Sequence, residues 1–328
     1  MKSKMKAIVY ENYGPPDVLQ FKEIATPAPA DNEVLIKVRA ASVNPLDWHF
    51  MRGEPWFIRL MIGLRKPKDE RLGVDVAGVV EAVGKNVTQF KPGDEVFGGC
   101  RGAFAEYACA TEDQLTLKPA NLSFEQAAAV PVAALTALQG LRDKGRIQPG
   151  YKVLIDGASG GVGTFAVQIA KSFGVEVTAV CSTRNLQTAR SLGADHVIDY
   201  TREDFTRNGL RYDLIMAANA YHSIFDYRRA LNRRGICVKS GGRASIPHML
   251  LDMLLERLLS LFGHKKTCGM LAKVKKADLL LLKDLLEAGT VVPVIDRDYQ
   301  LSHTADAIRY LEEGHARGKV VITIEDQR

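Results

Sequence analysis

The stretch that most constrains this chain is Val153-Leu154-Ile155-Asp156-Gly157-Ala158-Ser159-Gly160-Gly161-Val162-Gly163, followed by the helical pattern TFAVQIAKSFG. A strand, a glycine loop and a helix start, in that order, aim free backbone N–H groups and the positive end of a helix dipole at a pyrophosphate. The glycines let the ligand come close to the backbone. Against G-x-G-x-x-G, Ala158 stands at the first position, with Gly160 and Gly163 at the second and third. The same residues also satisfy G-x-S-x-G, the nucleophile elbow of hydrolases, which would make Ser159 a nucleophile, with Asp213 or Asp296 and His303 or His315 as candidate partners. Two features weigh against the elbow: the loop follows the first strand of the α/β part, and Gly163 has no use in it.

The flanks set the organisation. From Lys6 to about Leu117, short strands such as KAIVY, EVLIKVRAASV, GVVEAVG and DEVFG alternate with turns, the pattern of an all-β, barrel-like unit. A helix is predicted from Ser123 to Arg142, opened by Ser123 with Glu125 and Gln126 in its first turn. From Tyr151 onward KVLID, EVTAV, HVID, YDLIM and ICVKS alternate with helical segments, which predicts a doubly wound parallel sheet. A helix from Lys273 to Glu287, a strand VVPVI, a helix from Thr304 to Glu312 and a strand KVVITI close the chain. An apolar helix is also expected within Pro247 to Phe262, packing in the core, forming a dimer surface or covering a substrate pocket. Trp48, Trp56, Phe57 and Met61 are candidates for the lining of an apolar cleft, or for ordinary core.

Dinucleotide choice is read at the end of the second strand of the α/β part, where a carboxylate would take the ribose 2′-hydroxyl of NAD. The residues there are Ser182, Thr183, Arg184 and Asn185. Hydroxyls and a guanidinium suit a 2′-phosphate that a carboxylate would repel, so NADP is the expected cofactor.

Composition narrows the remaining classes. With 328 residues, 46% hydrophobic and 25% charged, the chain has the make-up of a globular protein of about two domains, not a disordered or collagenous one. Five scattered cysteines without a C-x-x-C pair suit reduced thiols, and the N-terminus lacks the apolar core of a secretory signal, so a cytoplasmic protein is expected. No membrane span is expected, because the most apolar stretch is interrupted by Asp252, Glu256 and Arg257. The net charge of +6 is spread in short clusters and is read as a mildly basic surface, with nucleic acid not an expected partner.

The ordered blocks ASVNPLDW, LGVDVAGVVEAVG, FKPGDEVFG, GAFAEYA, AAAVPVAALTAL, GASGGVGTFAVQIAK, LGADHVIDY and GKVVITI resemble the medium-chain dehydrogenase/reductase superfamily, specifically its zinc-free quinone oxidoreductase-like branch. The resemblance covers nearly the whole chain. It implies an α/β protein with a GroES-like β-barrel catalytic domain over residues 1–124, completed by 271–328, and a Rossmann NADP-binding domain over 125–270. A cofactor cleft between the domains and a homodimer are the corresponding expectations.

Departures from the zinc alcohol dehydrogenases of that superfamily matter. Gly73-Val74-Asp75 replaces their Gly-His-Glu, no Cys stands near Asn44 or Pro45, and the four-cysteine lobe is missing, so no metal is expected. Without a Lewis acid, the accessible acceptors are apolar electrophiles that delocalise the incoming charge: quinones, enones and enals. By the resemblance, Asn44 and Asp47 lie beside the nicotinamide, and His49 is a candidate proton donor. Ser159, Gly160, Gly161, Val162 and Gly163 would hold the pyrophosphate; Ser182, Thr183, Arg184 and Tyr200 the 2′-phosphate side. Thr136 and Asn219 are placed near the nicotinamide and its ribose, Gly241 and Gly242 after the next strand, and His315, Ala316 and Arg317 in a C-terminal block reaching the cofactor. The alternative from another class is a non-catalytic NADPH-binding protein, a sensor or a crystallin-like, RNA-binding relative.

Overall fold

The computed structural model describes residues 4–242, 254–256, 258–259 and 264–324. The chain forms two compact units: Met1–Val132 with Val274–Ala288 and Pro293–Arg328, and Ala133–Lys273 with Gly289–Val292.

The first unit is built on β sheets. Strand β1 (Lys4–Val9) pairs antiparallel with β2 (Gln20–Ala25). The larger sheet is centred on β3 (Glu33–Val43), which is flanked by β4 (Asp75–Val83); β5 (Glu95–Gly99) and β7 (Leu115–Leu117) continue beyond β4, and β6 (Tyr107–Thr111) also pairs with β3. Val34, Ile36 and Val38 recur at every second residue of β3 and are fully buried, as a strand with one face on the core requires. The same core takes in Val76, Phe104, Ile308 and Val320, so residues from both ends of the chain share it.

The second unit is a six-stranded parallel sheet. Its strands are β8 (Lys152–Asp156), β9 (Glu176–Cys181), β10 (His196–Asp199), β11 (Tyr212–Ala217), β12 (Leu231–Lys239) and β13 (Lys266–Gly269), ordered β10-β9-β8-β11-β12-β13. Counted from β8 this is 3-2-1-4-5-6, the dinucleotide-binding order, with its switch point between β8 and β11. Val153, Leu154, Ile155, Leu214, Ile215 and Met216 are fully buried, as near-continuous apolar runs are in a sheet covered on both faces.

The structure corrects several element boundaries. The expected helix from Ser123 to Arg142 is two helices, Phe124–Ala128 and Pro131–Gln139, followed by a wide turn at Gly140–Lys144. Ser123 and Gln126 cap the first as a reciprocal pair, and Pro131, lacking an N–H, starts the second. Of the VVPVI segment only its last residue, Ile295, is in a strand. Val292 instead exchanges both backbone bonds with the Gln168 side-chain amide, and β14 begins one residue before Asp296, as Ile295–Gln300. It lies at the sheet edge beside β15 (Lys319–Thr323), where Asp296, Arg297 and Asp298 discourage further pairing. The helix expected from Lys273 starts at Lys276, and β13 has no counterpart in the sequence reading. Most of the apolar helix sought within 247–262 lies outside the described residues; 254–256 and 258–259 are helical. Among the described residues, no helix is long and apolar enough to cross a membrane.

Candidate functional site

In the second unit the glycine loop leaves β8 at the switch point and enters the helix Gly161–Ser172. Its glycines have different reasons to be there. Gly157 has φ +80°, and a Cβ on it would lie 2.7 Å from Asn219 Cβ. A Cβ on Gly163 would meet the Gly157 carbonyl oxygen at 2.0 Å, so that glycine lets helix and loop pack. Gly160 differs: its φ is −80°, and an added Cβ meets nothing nearer than 3.6 Å. Neither backbone strain nor internal packing asks for a glycine there, so the demand comes from outside the chain. Gly160 is also the N-cap and offers no side chain to the first-turn N–H groups, leaving them for an anion. The loop therefore fits a dinucleotide pyrophosphate, with Ser159, Gly160, Gly161 and Val162 half-buried on its rim and Gly163 buried behind.

Two further segments converge on that edge. Asn219 follows β11 and packs against Gly157; a Cβ on Gly241 would meet the Ala218 carbonyl at 2.5 Å, and one on Gly242 that of Ala220 at 2.6 Å. The strand-end Asp156 is buried and accepts a hydrogen bond from Tyr227 Oη at 2.6 Å. Burial pushes its carboxyl up to about 6 against that hydrogen bond. Thr136 is buried in the helix Pro131–Gln139.

After β9, Ser182 accepts from Asn185 Nδ2 at 3.1 Å, Arg184 is exposed, and Tyr200 is 60% exposed. The structure adds a carboxylate that the sequence reading missed. Asp199, at the end of β10 opposite Cys181, takes a short hydrogen bond from Thr183 Oγ1 and others from Thr201 N and Oγ1. These donors, with Thr183 foremost, hold its carboxyl below the usual range. Thr183 is thus tied to Asp199, while Arg184 remains available for a 2′-phosphate.

The elbow geometry is absent at Ser159. An elbow is a strained turn, yet among the described non-glycine residues only Arg146 has positive φ.

In the first unit Asn44 caps the helix Pro45–Arg52 directly after β3, with Asp47 in its first turn and His49 in its last. Asn44 and Asp47 are buried. Asn44 N donates to Asp47 Oδ2 at 2.7 Å; Asp47 Oδ1 makes no full hydrogen bond, and burial pushes this carboxyl up to about 8 against the pull of the Asn44 and Gly73 backbone N–H groups. Asp75 Oδ2 accepts from Ser42 Oγ at 2.7 Å, Asn44 Nδ2 at 2.8 Å and Lys319 Nζ at 3.4 Å, while Oδ1 accepts from Val132 N at 3.0 Å. Both oxygens of this carboxylate are already engaged, and an ammonium stands beside them. Such a set does not suit a catalytic metal, which needs free lone pairs from three ligands. Among the described residues no three His, Cys, Asp or Glu side chains gather as metal ligands.

His49 Nδ1 lies 2.7 Å from the Glu54 carbonyl, which can only accept, so Nδ1 carries the proton and Nε2 of the neutral ring is an acceptor. Burial lowers its pKa, disfavouring the cation. A proton donor at His49 conflicts with this arrangement. Trp56, Phe57 and Met61 are exposed, and Trp48 packs on the His49 ring with centroids 3.7 Å apart. His315, Ala316 and Arg317 form a surface loop of this unit, anchored by Arg317 N donating to Asp296 at 3.0 Å.

Comparison with known proteins agrees with this geometry. Residues 30–120 match the alcohol dehydrogenase GroES-like domain, and 192–322 match a family described as zinc-binding dehydrogenase. The chain is 37% identical to 2-methylene-furan-3-one reductase of Solanum lycopersicum, over 98% of this chain and 79% of that protein. It is 35% identical to the chloroplastic NADPH-dependent alkenal/one oxidoreductase of Arabidopsis thaliana, over 97% and 79%. The solved quinone oxidoreductase from Coxiella burnetii superposes with a TM-score of 0.86 at 32% identity, over 98% of this chain and all of that one, 100%. With its dinucleotide-binding strand order and a carboxylate cluster closed by a lysine, the chain belongs to the medium-chain dehydrogenase/reductase superfamily, in its zinc-free quinone oxidoreductase-like branch, and is an NADP(H)-linked oxidoreductase.

Proposed function

We propose that this chain uses NADPH to reduce apolar quinones and α,β-unsaturated aldehydes and ketones. The observation that carries the choice of acceptor is the saturated Asp75 carboxylate, which leaves no place for a Lewis acid among Ser42, Asn44 and Lys319. An isolated ketone needs its developing alkoxide stabilised, whereas a quinone or enone spreads that charge into its own π system. When bound, NADPH supplies the hydride.

The chain's residues bind and orient. The N–H groups at Gly161 and Val162, with Ser159 and Gly160, take the pyrophosphate. Ser182, Thr183, Arg184 and Tyr200 take the 2′-phosphate side, and Thr136, Asn219, Gly241 and Gly242 serve the nicotinamide half; His315, Ala316 and Arg317 of the first unit are further candidates for cofactor contact. Asn44 and Asp47, both buried, act by positioning. His49 Nε2 orients a water by accepting one of its hydrogens; that water passes its other proton to the reduced acceptor and is reprotonated from bulk solvent.

The test is reduced-nicotinamide consumption with a panel of quinones, enals, enones and simple ketones, with NADH beside NADPH. Turnover of the conjugated acceptors with NADPH is expected. Equal use of NADH, or turnover confined to simple ketones and alcohols, overturns the proposal.

A further inference from the structure

Lys319 opens the closing strand β15 and is buried at 3% exposure, although an apolar side chain would cost less there. Its ammonium has three donors and three acceptors within reach: Asn44 Oδ1 at 2.6 Å, Val43 O at 3.4 Å and Asp75 Oδ2 at 3.4 Å. A buried ion pair of this kind adds little net stability over well-packed apolar residues. Its geometry does something else. The Asn44 amide has its oxygen on the Lys319 ammonium and its nitrogen on Asp75 Oδ2 and Ser42 O, so only one of its two flip orientations is satisfied.

The orientation is passed on locally. The Asn44–Asp47 turn is closed by Asn44 N donating to Asp47 Oδ2 and Asp47 N donating to Asn44 O, and the next turn of the helix carries His49. We propose that Lys319 is a positioning residue: from the far end of the sequence it locks the Asn44 amide and, through it, the first turn of the helix bearing His49. The inference rests on the reading of Asn44 and His49 as part of the reductase site.

The experiment compares wild type, Lys319→Met and the charge-balanced double variant Asp75→Asn/Lys319→Met in the full chain. Lys319→Met leaves Asp75 buried without its cation, so its Tm falls. In the double variant Tm returns toward wild type, but Asn44 Oδ1 has lost the Lys319 ammonium, and the one replacement donor, the amide introduced at position 75, is reached only by flipping Asn44 into its other orientation. Expected there is a kcat at least tenfold below wild type, with the NADPH Kd within about twofold and faster hydrogen exchange confined to residues 44–52. If kcat recovers together with Tm, Lys319 is only structural and the proposal fails. If Lys319→Met does not fold, the double variant carries the comparison alone. Hydrogen exchange separates this inference from the functional reading: if the wild type turns over no acceptor, the reductase proposal fails, whereas unchanged exchange at 44–52 in the double variant overturns the role of Lys319.

Discussion

Asn219 closes directly over Gly157: a Cβ on the glycine would stand 2.7 Å from that of the asparagine. The contact joins the loop after β8 to the segment after β11, the two strands whose connections leave in opposite directions along the sheet. It holds the floor of the crevice at the switch point, where a dinucleotide lies in this topology.

Glycine replacements should separate floor from ligand contact. Gly163→Ala drives a methyl into the Gly157 carbonyl and should cost about 1–3 kcal/mol of stability, seen as a lower Tm. Gly160→Ala meets no protein atom closer than 3.6 Å, so its Tm should stay near wild type while NADPH binds at least tenfold more weakly. Fluorescence titration of NADPH beside thermal melts checks both; unchanged binding in Gly160→Ala would remove the pyrophosphate from this loop.

Arg184→Ala should weaken NADPH binding by about tenfold, or ~1.4 kcal/mol, and leave NADH binding unchanged, because only the former carries a 2′-phosphate. Arg184 is exposed and Thr183 is held by Asp199, so the guanidinium is the removable charge of this pocket. Titrations with both nucleotides at one ionic strength decide it, and an equal loss for both would place Arg184 elsewhere.

Ser159→Ala should retain turnover and raise the NADPH Kd by only a few fold, the worth of about one hydrogen bond of ~1 kcal/mol. Complete loss of turnover with intact NADPH binding would instead place Ser159 in the chemical step. Steady-state kinetics and a binding titration on the same variant suffice.

How much was legible beforehand follows from how far apart the interacting residues are. The glycine loop, the Ser123–Gln126 cap and the strand β3 depend on neighbours in sequence, and local rules found them. Strand β13, KTCG, has no apolar run and its residues are half-buried or exposed at the sheet edge, so nothing local marks it. Asp199 reaches Thr183 only because β10 lies beside β9. Lys319 and Asp75 are 244 residues apart, and their meeting needs β15 and β4 on either side of β3. Motif reading assigned Asn44 and Asp47 to the site and met Lys319 only as the first residue of the closing strand, with no role beside them.

Asp47 leads to a pH dependence that can be worked out in sign. Burial raises its pKa from 3.8 to about 8 in the folded chain. Between those values the native state keeps a proton that the unfolded state has lost, so stability falls as pH rises, by about 1.4 kcal/mol per unit. The contribution is fully present below pH ~4 and is gone above about 8. Asp47→Asn keeps a neutral side chain of the same shape, with an oxygen able to accept from Asn44 N, and cannot titrate. Denaturant unfolding of the two proteins from pH 5 to 9 should therefore show wild type losing stability relative to the variant up to about pH 8, with the difference level beyond. Parallel curves throughout would mean that Asp47 is ionised in the folded protein and that its orphaned Oδ1 has found a partner.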